Sequence, residues 1–166
     1  MEDISYLTET RFSDLALDER LLSGLTDAGF DFCTKIQAES LPIALTGQDV
    51  AGQAQTGTGK TAAFLLAIFN HLLKNPKPES ATPISIRSLV LAPTRELAIQ
   101  IHRDAEVLGK RTGLKLGLAY GGTDYQQQRE TLAAGVDVLI GTPGRLIDFY
   151  KQDVFDLKAT QVLVLD

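Results

Sequence analysis

Eight consecutive residues, Ala54-Gln55-Thr56-Gly57-Thr58-Gly59-Lys60-Thr61, have a composition suited to a backbone cradle for phosphate. Glycine permits the positive φ values that turn successive N–H groups inward as an anion nest, and a helix that follows adds its own N-terminal N–H groups. Lys60 can then reach the β- and γ-phosphates of a nucleotide, and the Thr61 hydroxyl can ligate Mg2+. The plainer explanation is a glycine-rich turn entering a helix. The apolar stretch from Asp49 to Gly52 before the loop and the helix-like run from Ala62 to Leu73 after it favour the phosphate-binding reading.

Three further clusters offer what a run of phosphates needs. In Pro93-Thr94-Arg95-Glu96-Leu97-Ala98, Thr94 is a good N-cap and Glu96 suits the helix dipole, so a well-capped helix accounts for both. Arg95 has the wrong sign for that terminus and points to an anionic ligand. Gly121-Gly122-Thr123 is a turn that exposes backbone N–H groups. Gly141-Thr142-Pro143-Gly144-Arg145 is again a helix start with a hydroxyl and an arginine. Any one of these is explained as a turn; three at one sheet edge fit a track for the phosphates of a polymer.

Two sites remain. Asp166 ends the apolar run Val162-Leu163-Val164-Leu165, where an acid beside a phosphate loop can hold the water shell of Mg2+, although aspartate also simply ends strands. Gln37 carries the donor and acceptor that would read the N6 amine and N7 of adenine, and Phe30 can stack on the base. By pattern alone, a core aromatic and a surface glutamine are the ordinary explanation of that pair.

The elements that must position these residues follow from periodicity. Residues 1–11 show no period and read as an irregular arm. Asp18 can cap a helix with Leu21, Leu22 and Leu25 on one face and Gly29 as its stop. A second helix is predicted from Thr34 to about Ala44, with Pro42 weakening its last turn. Asp49 to Gly52 is predicted as a short buried strand ahead of the phosphate loop. Asn75 to Ser85 contains Pro76, Pro78 and Pro83 and reads as a loop. Strands then alternate with helices. Strands are expected at 88–92, 114–120, 136–140 and 161–165, and helices at 94–110, 124–133 and 143–151, the last with proline in its first turn. Near-continuous apolar strands separated by helices predict an α/β fold, a parallel sheet with helices on both faces. In such sheets ligands gather beyond the carboxyl ends of the strands.

Composition sets bounds. The chain has 166 residues, 44% hydrophobic and 22% charged, which suits a globular, cored protein. Sixteen Lys and Arg against 21 Asp and Glu give a net charge of -5, which excludes broad electrostatic attraction to nucleic acid but not a local contact surface. Cys33 is the only cysteine, so no intrachain disulfide can form. The acidic start and the lack of a long apolar run predict no membrane association and a cytoplasmic protein. A P-loop small-molecule kinase or GTPase, or a non-catalytic nucleotide-binding interaction module, also fits the phosphate loop, although guanine-reading motifs are not apparent.

Taken together, Phe30 to Gln37, Ala54 to Thr61, Pro93 to Ala98, Gly121-Gly122, Thr142-Pro143-Gly144-Arg145 and Val164-Leu165-Asp166 resemble, in order and spacing, the motifs of the first RecA-like domain of DEAD-box ATP-dependent RNA helicases. The stretches Gly52 to Thr61 and Lys115 to Gly122 look most like one bacterial subgroup of that family. The resemblance implies a RecA-like P-loop domain at 34–166, truncated at its C-terminus and without a second RecA-like domain. Residues 1–33 would be an extension carrying the start of the adenine-recognition motif. It implies ATP and Mg2+ as cofactors and RNA as a partner, bound through sequence-tolerant backbone contacts with no DNA preference. It further implies a role in RNA degradation, with a ribonuclease scaffold docking through parts outside this chain.

Residue by residue, the resemblance implies that Phe30 stacks on adenine, Thr34 and Gln37 read it, and Phe12 backs the pocket. Gln55, Thr56, Gly57, Thr58, Gly59, Lys60 and Thr61 would bind the phosphates. Lys60, Thr61 and Asp166 would be the catalytic set, Thr61 and Asp166 holding Mg2+, the latter through water. Pro93, Thr94, Arg95, Gly121, Gly122, Thr142, Pro143, Gly144 and Arg145 would line the RNA. Family members hydrolyse ATP only when a second RecA-like domain closes over the nucleotide, so this chain alone is expected to turn over poorly. One departure stands out: Lys35 replaces the family's first-turn proline, which loosens the entry to the helix carrying Gln37.

Overall fold

The computed structural model describes residues 6–122 and 124–166, which fall into two compact units. The first runs to Lys74 and includes Val107–Thr112; the second comprises Asn75–Glu106 and Gly113–Asp166.

In the first unit, strand β1 (Leu7–Arg11) pairs antiparallel with β2 (Phe32–Thr34), Leu7 opposite Thr34 and Arg11 opposite Phe32. The described part of the expected irregular arm is therefore a strand; residues 1–5 lie outside the described residues. Its partner is more than twenty residues away, so the pairing has no local signature. The Thr8 hydroxyl donates to the Cys33 carbonyl at 2.9 Å, and the Arg11 guanidinium lies 4.3 Å from the Phe32 ring centroid. Helix α1 (Glu19–Asp27) starts as expected: the Asp18 carboxylate accepts from the Arg20 backbone N–H at 3.0 Å and from its Nε at 2.8 Å. Leu21 and Leu25 are buried, and the chain leaves the helix through Gly29 at φ +77°, a conformation that costs glycine little.

Helix α2 (Lys35–Ala44) contains Pro42 in its final turn and goes no further, as a residue without an N–H donor dictates. Helix α3 (Lys60–Lys74) opens at the end of the phosphate loop and buries Leu65, Leu66, Ile68, Phe69 and Leu72. Its buried Asn70 accepts from the Asp18 N–H at 2.8 Å, so a polar core side chain holds the start of α1. The predicted strand from Asp49 to Gly52 does not form: these residues are irregular and exposed. A strand exists only as part of a hydrogen-bonded ladder. This segment is four residues long with a single β-branched side chain, Val50, and pairs with no strand among the described residues.

The second unit is built on four parallel strands: β3 (Ser88–Leu91), β4 (Leu116–Ala119), β5 (Val138–Gly141) and β6 (Val162–Leu165), in the order β4-β5-β3-β6. Helices α4 (Arg95–Leu108), α5 (Tyr125–Ala133) and α6 (Pro143–Lys151) connect them, the alternation the sequence predicts. Side chains alternate across the sheet. On one face Leu89, Leu91, Ala119 and Leu139 pack with Leu132 of α5 and with Leu146 and Phe149 of α6. On the other, Val90, Val138 and Ile140 are fully buried. Burial on both faces is why the central strand β5 reads as an unbroken apolar run, whereas Leu163 and Leu165 of the edge strand β6 are exposed. The proline-rich loop ends in a polar clasp, where the Thr82 and Ser85 hydroxyls donate to Asp156 at 2.9 and 2.7 Å.

Candidate nucleotide and nucleic-acid site

The phosphate loop and the segment expected to read adenine both lie in the first unit. Gln37 is buried and Phe30 is half exposed, the reverse of a core aromatic and a surface glutamine. Gln37 sits in the first turn of α2. Its Oε1 accepts from the Thr34 N–H at 2.9 Å, and its Nε2 donates to the Gly59 carbonyl at 3.1 Å. The first bond closes the helix N-terminus, so Gln37 itself holds the entry that Lys35 would loosen. The second ties that helix to the phosphate loop.

Gly57 and Gly59 have φ values of +80° and +91°, the conformations a backbone nest requires. Space around Gly57 is open, whereas a Cβ on Gly59 would collide with the Gln37 amide and press on the Thr34 hydroxyl. That hydroxyl, Oγ1, is buried and has no hydrogen-bond partner among the described residues. A buried, unsatisfied hydroxyl is costly and suits a ligand that brings its own donor or acceptor. Thr58 closes the loop on itself by donating to the Gln55 carbonyl at 2.7 Å. A cavity of about 720 Å³ is lined by Thr34, Lys35, Ile36, Ala54 and Thr58 together with Leu7 of β1. The positive-φ glycines of the loop and the Thr34 hydroxyl fit a nucleotide, and of the residues expected to bind one the cavity is lined by Thr34 and Thr58. Phe12, Phe30 and Gln37 do not line this cavity. Phe12 is buried in the core, its N–H donating to the Asp31 carbonyl at 3.1 Å. Gln55 and Thr56 are exposed, and Lys60 and Thr61 begin α3, half exposed.

In the second unit the turns expected to face RNA share one edge. Leu91 pairs with both Gly141 and Leu165, and Ala119 with Gly141, so all four carboxyl ends are level. The ladder continues past them. The Ala92 N–H donates to the Gly141 carbonyl at 2.9 Å, the Thr142 N–H to the Ala119 carbonyl at 3.0 Å, and the Asp166 N–H to the Leu91 carbonyl at 3.0 Å. Asp166 is therefore fixed beside the turn that carries Pro93, Thr94 and Arg95. Gly141 is glycine for a steric reason, since a Cβ there would strike the Ala119 carbonyl.

On this edge the Thr94 hydroxyl accepts from the Leu97 N–H at 3.3 Å and caps α4. The Arg95 guanidinium is drawn 4.8 Å from the Tyr120 ring centroid and lies close to Gly122. Thr142 caps α6 with its backbone alone, leaving its hydroxyl out of the cap, and Pro143 opens the helix. Pro143 and Gly144 are exposed, as are Gly121 and Gly122. Arg145 Nη1 donates to Gln128 Oε1 at 3.0 Å, and its guanidinium lies 4.8 Å from the centroid of Tyr125 and 5.4 Å from that of Phe149. Ring and amide contacts orient a guanidinium without neutralising it. Thr123, between these groups, lies outside the described residues. Sequence reasoning missed Tyr120, Tyr125 and Gln128. The available signal was position: Gln128 precedes the buried Leu132 by four residues, which puts it on the inward face of α5.

A phosphate loop bonded to a buried glutamine in the first unit, and a level row of hydroxyl, arginine and glycine turns on the parallel sheet of the second, fit a P-loop protein of the helicase type. Residues 34–166 match the family model for DEAD/DEAH box helicases, and the chain belongs to that family, not to the small-molecule kinases or GTPases. It is 59% identical over 98% of its length to the ATP-dependent RNA helicase RhlB of Psychromonas ingrahamii, of which it covers 39%. It is 60% identical over 97% of its length to RhlB of Idiomarina loihiensis, of which it covers 38%, and 58% identical to RhlB of Vibrio vulnificus over 98%, covering 37%. The chain thus spans less than two fifths of the relatives it matches. No helix among the described residues is long and apolar enough to cross a membrane, and no cluster of metal-ligating side chains occurs among them.

Proposed function

We propose that this chain is the nucleotide-binding and RNA-contacting part of an ATP-dependent RNA helicase that remodels RNA, and that it cannot hydrolyse ATP efficiently by itself. The observation that carries the reading is the bond from Gln37 to Gly59, which links an adenine-reading side chain directly to the phosphate loop. Thr34 and Gln37 take the base, with Phe30 stacking and Phe12 supporting from the core. Gln55 to Gly59 present backbone N–H groups to the phosphates, Lys60 adds its charge, and Thr61 and Asp166 hold Mg2+, Asp166 through water. Mg2+, when bound, neutralises charge developing on the transferred phosphoryl group. Pro93, Thr94, Arg95, Gly121, Gly122, Thr142, Pro143, Gly144 and Arg145 contact the RNA backbone, which carries no sequence information. The likeness of Gly52 to Thr61 and of Lys115 to Gly122 to RhlB supports a role in RNA degradation, with a ribonuclease scaffold engaged through parts outside this chain, in the cytoplasm.

The test is calorimetric titration of the purified chain with ADP and GDP, alongside Gln37→Ala and Lys60→Ala. Measurable preference for ADP, reduced by Gln37→Ala, is expected, and Lys60→Ala should weaken ADP roughly 10- to 100-fold, the scale of one lost charge-assisted hydrogen bond. Equal affinity for ADP and GDP, or robust RNA-stimulated ATPase from the chain alone, would sink the proposal.

A further inference from the structure

Gln128 is, with Leu132, one of the two buried residues of α5, and none of the RNA-facing motifs includes it. Its Oε1 accepts two hydrogen bonds at once, from the Tyr120 backbone N–H at 3.1 Å and from Arg145 Nη1 at 3.0 Å. The first donor begins the turn after β4 that leads into Gly121 and Gly122; the second belongs to the helix that follows β5. One carbonyl oxygen therefore uses both lone pairs to join two segments that chain connectivity leaves independent. Tyr125, one turn earlier on the same helix, puts its ring against the Arg145 guanidinium and against Phe149, the ring centroids 5.1 Å apart. The Tyr125 hydroxyl accepts in turn from Gln152 Nε2 at 2.8 Å.

We infer that Gln128 is a positioning residue for RNA contact: it fixes the Arg145 guanidinium and the turn after β4 in one relation, so that both present donors to the same backbone. This rests on the reading of Arg145 and Gly122 as RNA contacts. The side chain is neutral, and the choice has a consequence. A carboxylate in the same place would hold Arg145 equally well but would neutralise it, whereas an amide orients the guanidinium and leaves its charge for phosphate. Fixing a long, flexible arginine before binding removes an ordering cost that would otherwise weaken the complex.

The experiment uses the chain itself, with a single-stranded oligouridylate as probe and fluorescence anisotropy at low salt, on wild type, Gln128→Met, Gln128→Glu, Arg145→Met and Gln128→Met/Arg145→Met. Gln128→Met should weaken RNA binding roughly tenfold, the scale of one hydrogen bond to a charged group, and should add nothing in the Arg145→Met background. Losses that add would mean a merely structural role and overturn the inference. Without RNA, the Arg145 Nε–H resonance should broaden in Gln128→Met and return in Gln128→Glu, which keeps the acceptor yet does not restore RNA affinity. An Arg145 resonance unchanged in Gln128→Met, or lost in Gln128→Glu, overturns it as well. If Arg145→Met binds RNA as wild type does, the RNA role of Arg145 fails instead, while the resonance still decides whether Gln128 holds that side chain.

Discussion

Gln37 Nε2 donates to the carbonyl of Gly59 at 3.1 Å, and Gly59 is the one phosphate-loop glycine whose missing side chain makes room for another residue. The two glycines of the loop are consequently not equivalent. Gly57→Ala should cost about 1 kcal/mol through its positive φ alone and leave nucleotide binding largely intact. Gly59→Ala meets the same strain and also expels the Gln37 amide, so adenine nucleotide affinity should fall at least roughly tenfold. Titration of both variants with ADP checks the difference, and equal losses would show that the Gln37 contact is irrelevant.

Phe149 is fully buried between the sheet and Tyr125. Phe149→Ala should lower unfolding free energy by about 3–5 kcal/mol in urea titrations. Ile147, two residues earlier on α6 and 53% exposed, should change by less than about 0.5 kcal/mol on replacement by alanine.

Arg87 is buried, its Nη1 3.3 Å from Asp137 and its Nη2 donating to the Asn75 carbonyl at 2.7 Å. Arg87→Ala removes a buried side chain and its bonds to Asp137 and the Asn75 carbonyl, while the partly exposed Asp137 keeps the Lys115 N–H, and should cost about 1–3 kcal/mol. Arg87→Lys should recover only part of this, because an ammonium cannot make the two-pronged contact. Chemical denaturation of both variants measures the ordering, and full recovery by lysine would exclude the geometric argument.

The carboxyl of Asp18 is held down at about 2, chiefly by the hydrogen bond from the Arg20 side chain and then by the Arg20 backbone N–H. Its folded value lies below the ordinary 3.8, so its stabilising contribution is complete above that value and is lost as pH falls towards 2. The pair is largely solvent-accessible, so its share is below about 1 kcal/mol and shrinks with salt. The difference in melting temperature between wild type and Asp18→Asn should therefore be largest near neutrality and shrink as pH falls through 2; a difference undiminished at pH 2 would contradict the assignment.

How far the sequence disclosed this molecule depended on whether the signal was local. The helices and the sheet of the second unit were legible because Leu97, Ile101, Ala105 and Leu108 repeat at the helical period and because Val138, Leu139 and Ile140 must be buried on both faces. The phosphate-loop glycines were legible because their backbone conformation is a property of the residue. The β1 and β2 pairing was not, since Leu7 and Thr34 meet only in the folded chain. The segment from Asp49 to Gly52 misled for the converse reason: its apolar character is local, but a strand needs a neighbour. Arg95 and Arg145 stood out by charge, whereas Tyr120 and Gln128, which contact them, resembled ordinary aromatic and polar residues until their contacts were seen.

Cys33 lies in β2 with its side chain fully buried, and burial, with a smaller effect from Asp14, pushes its thiol up to about 11. As the sole sulfhydryl of this chain, it is protonated and shielded whenever the chain is folded, and a thiol-specific dye has only the opened chain to attack. The rate of dye incorporation at neutral pH therefore counts opening events of the nucleotide-binding unit directly, and a second cysteine placed at exposed Lys77 would be labelled selectively without removing the native one.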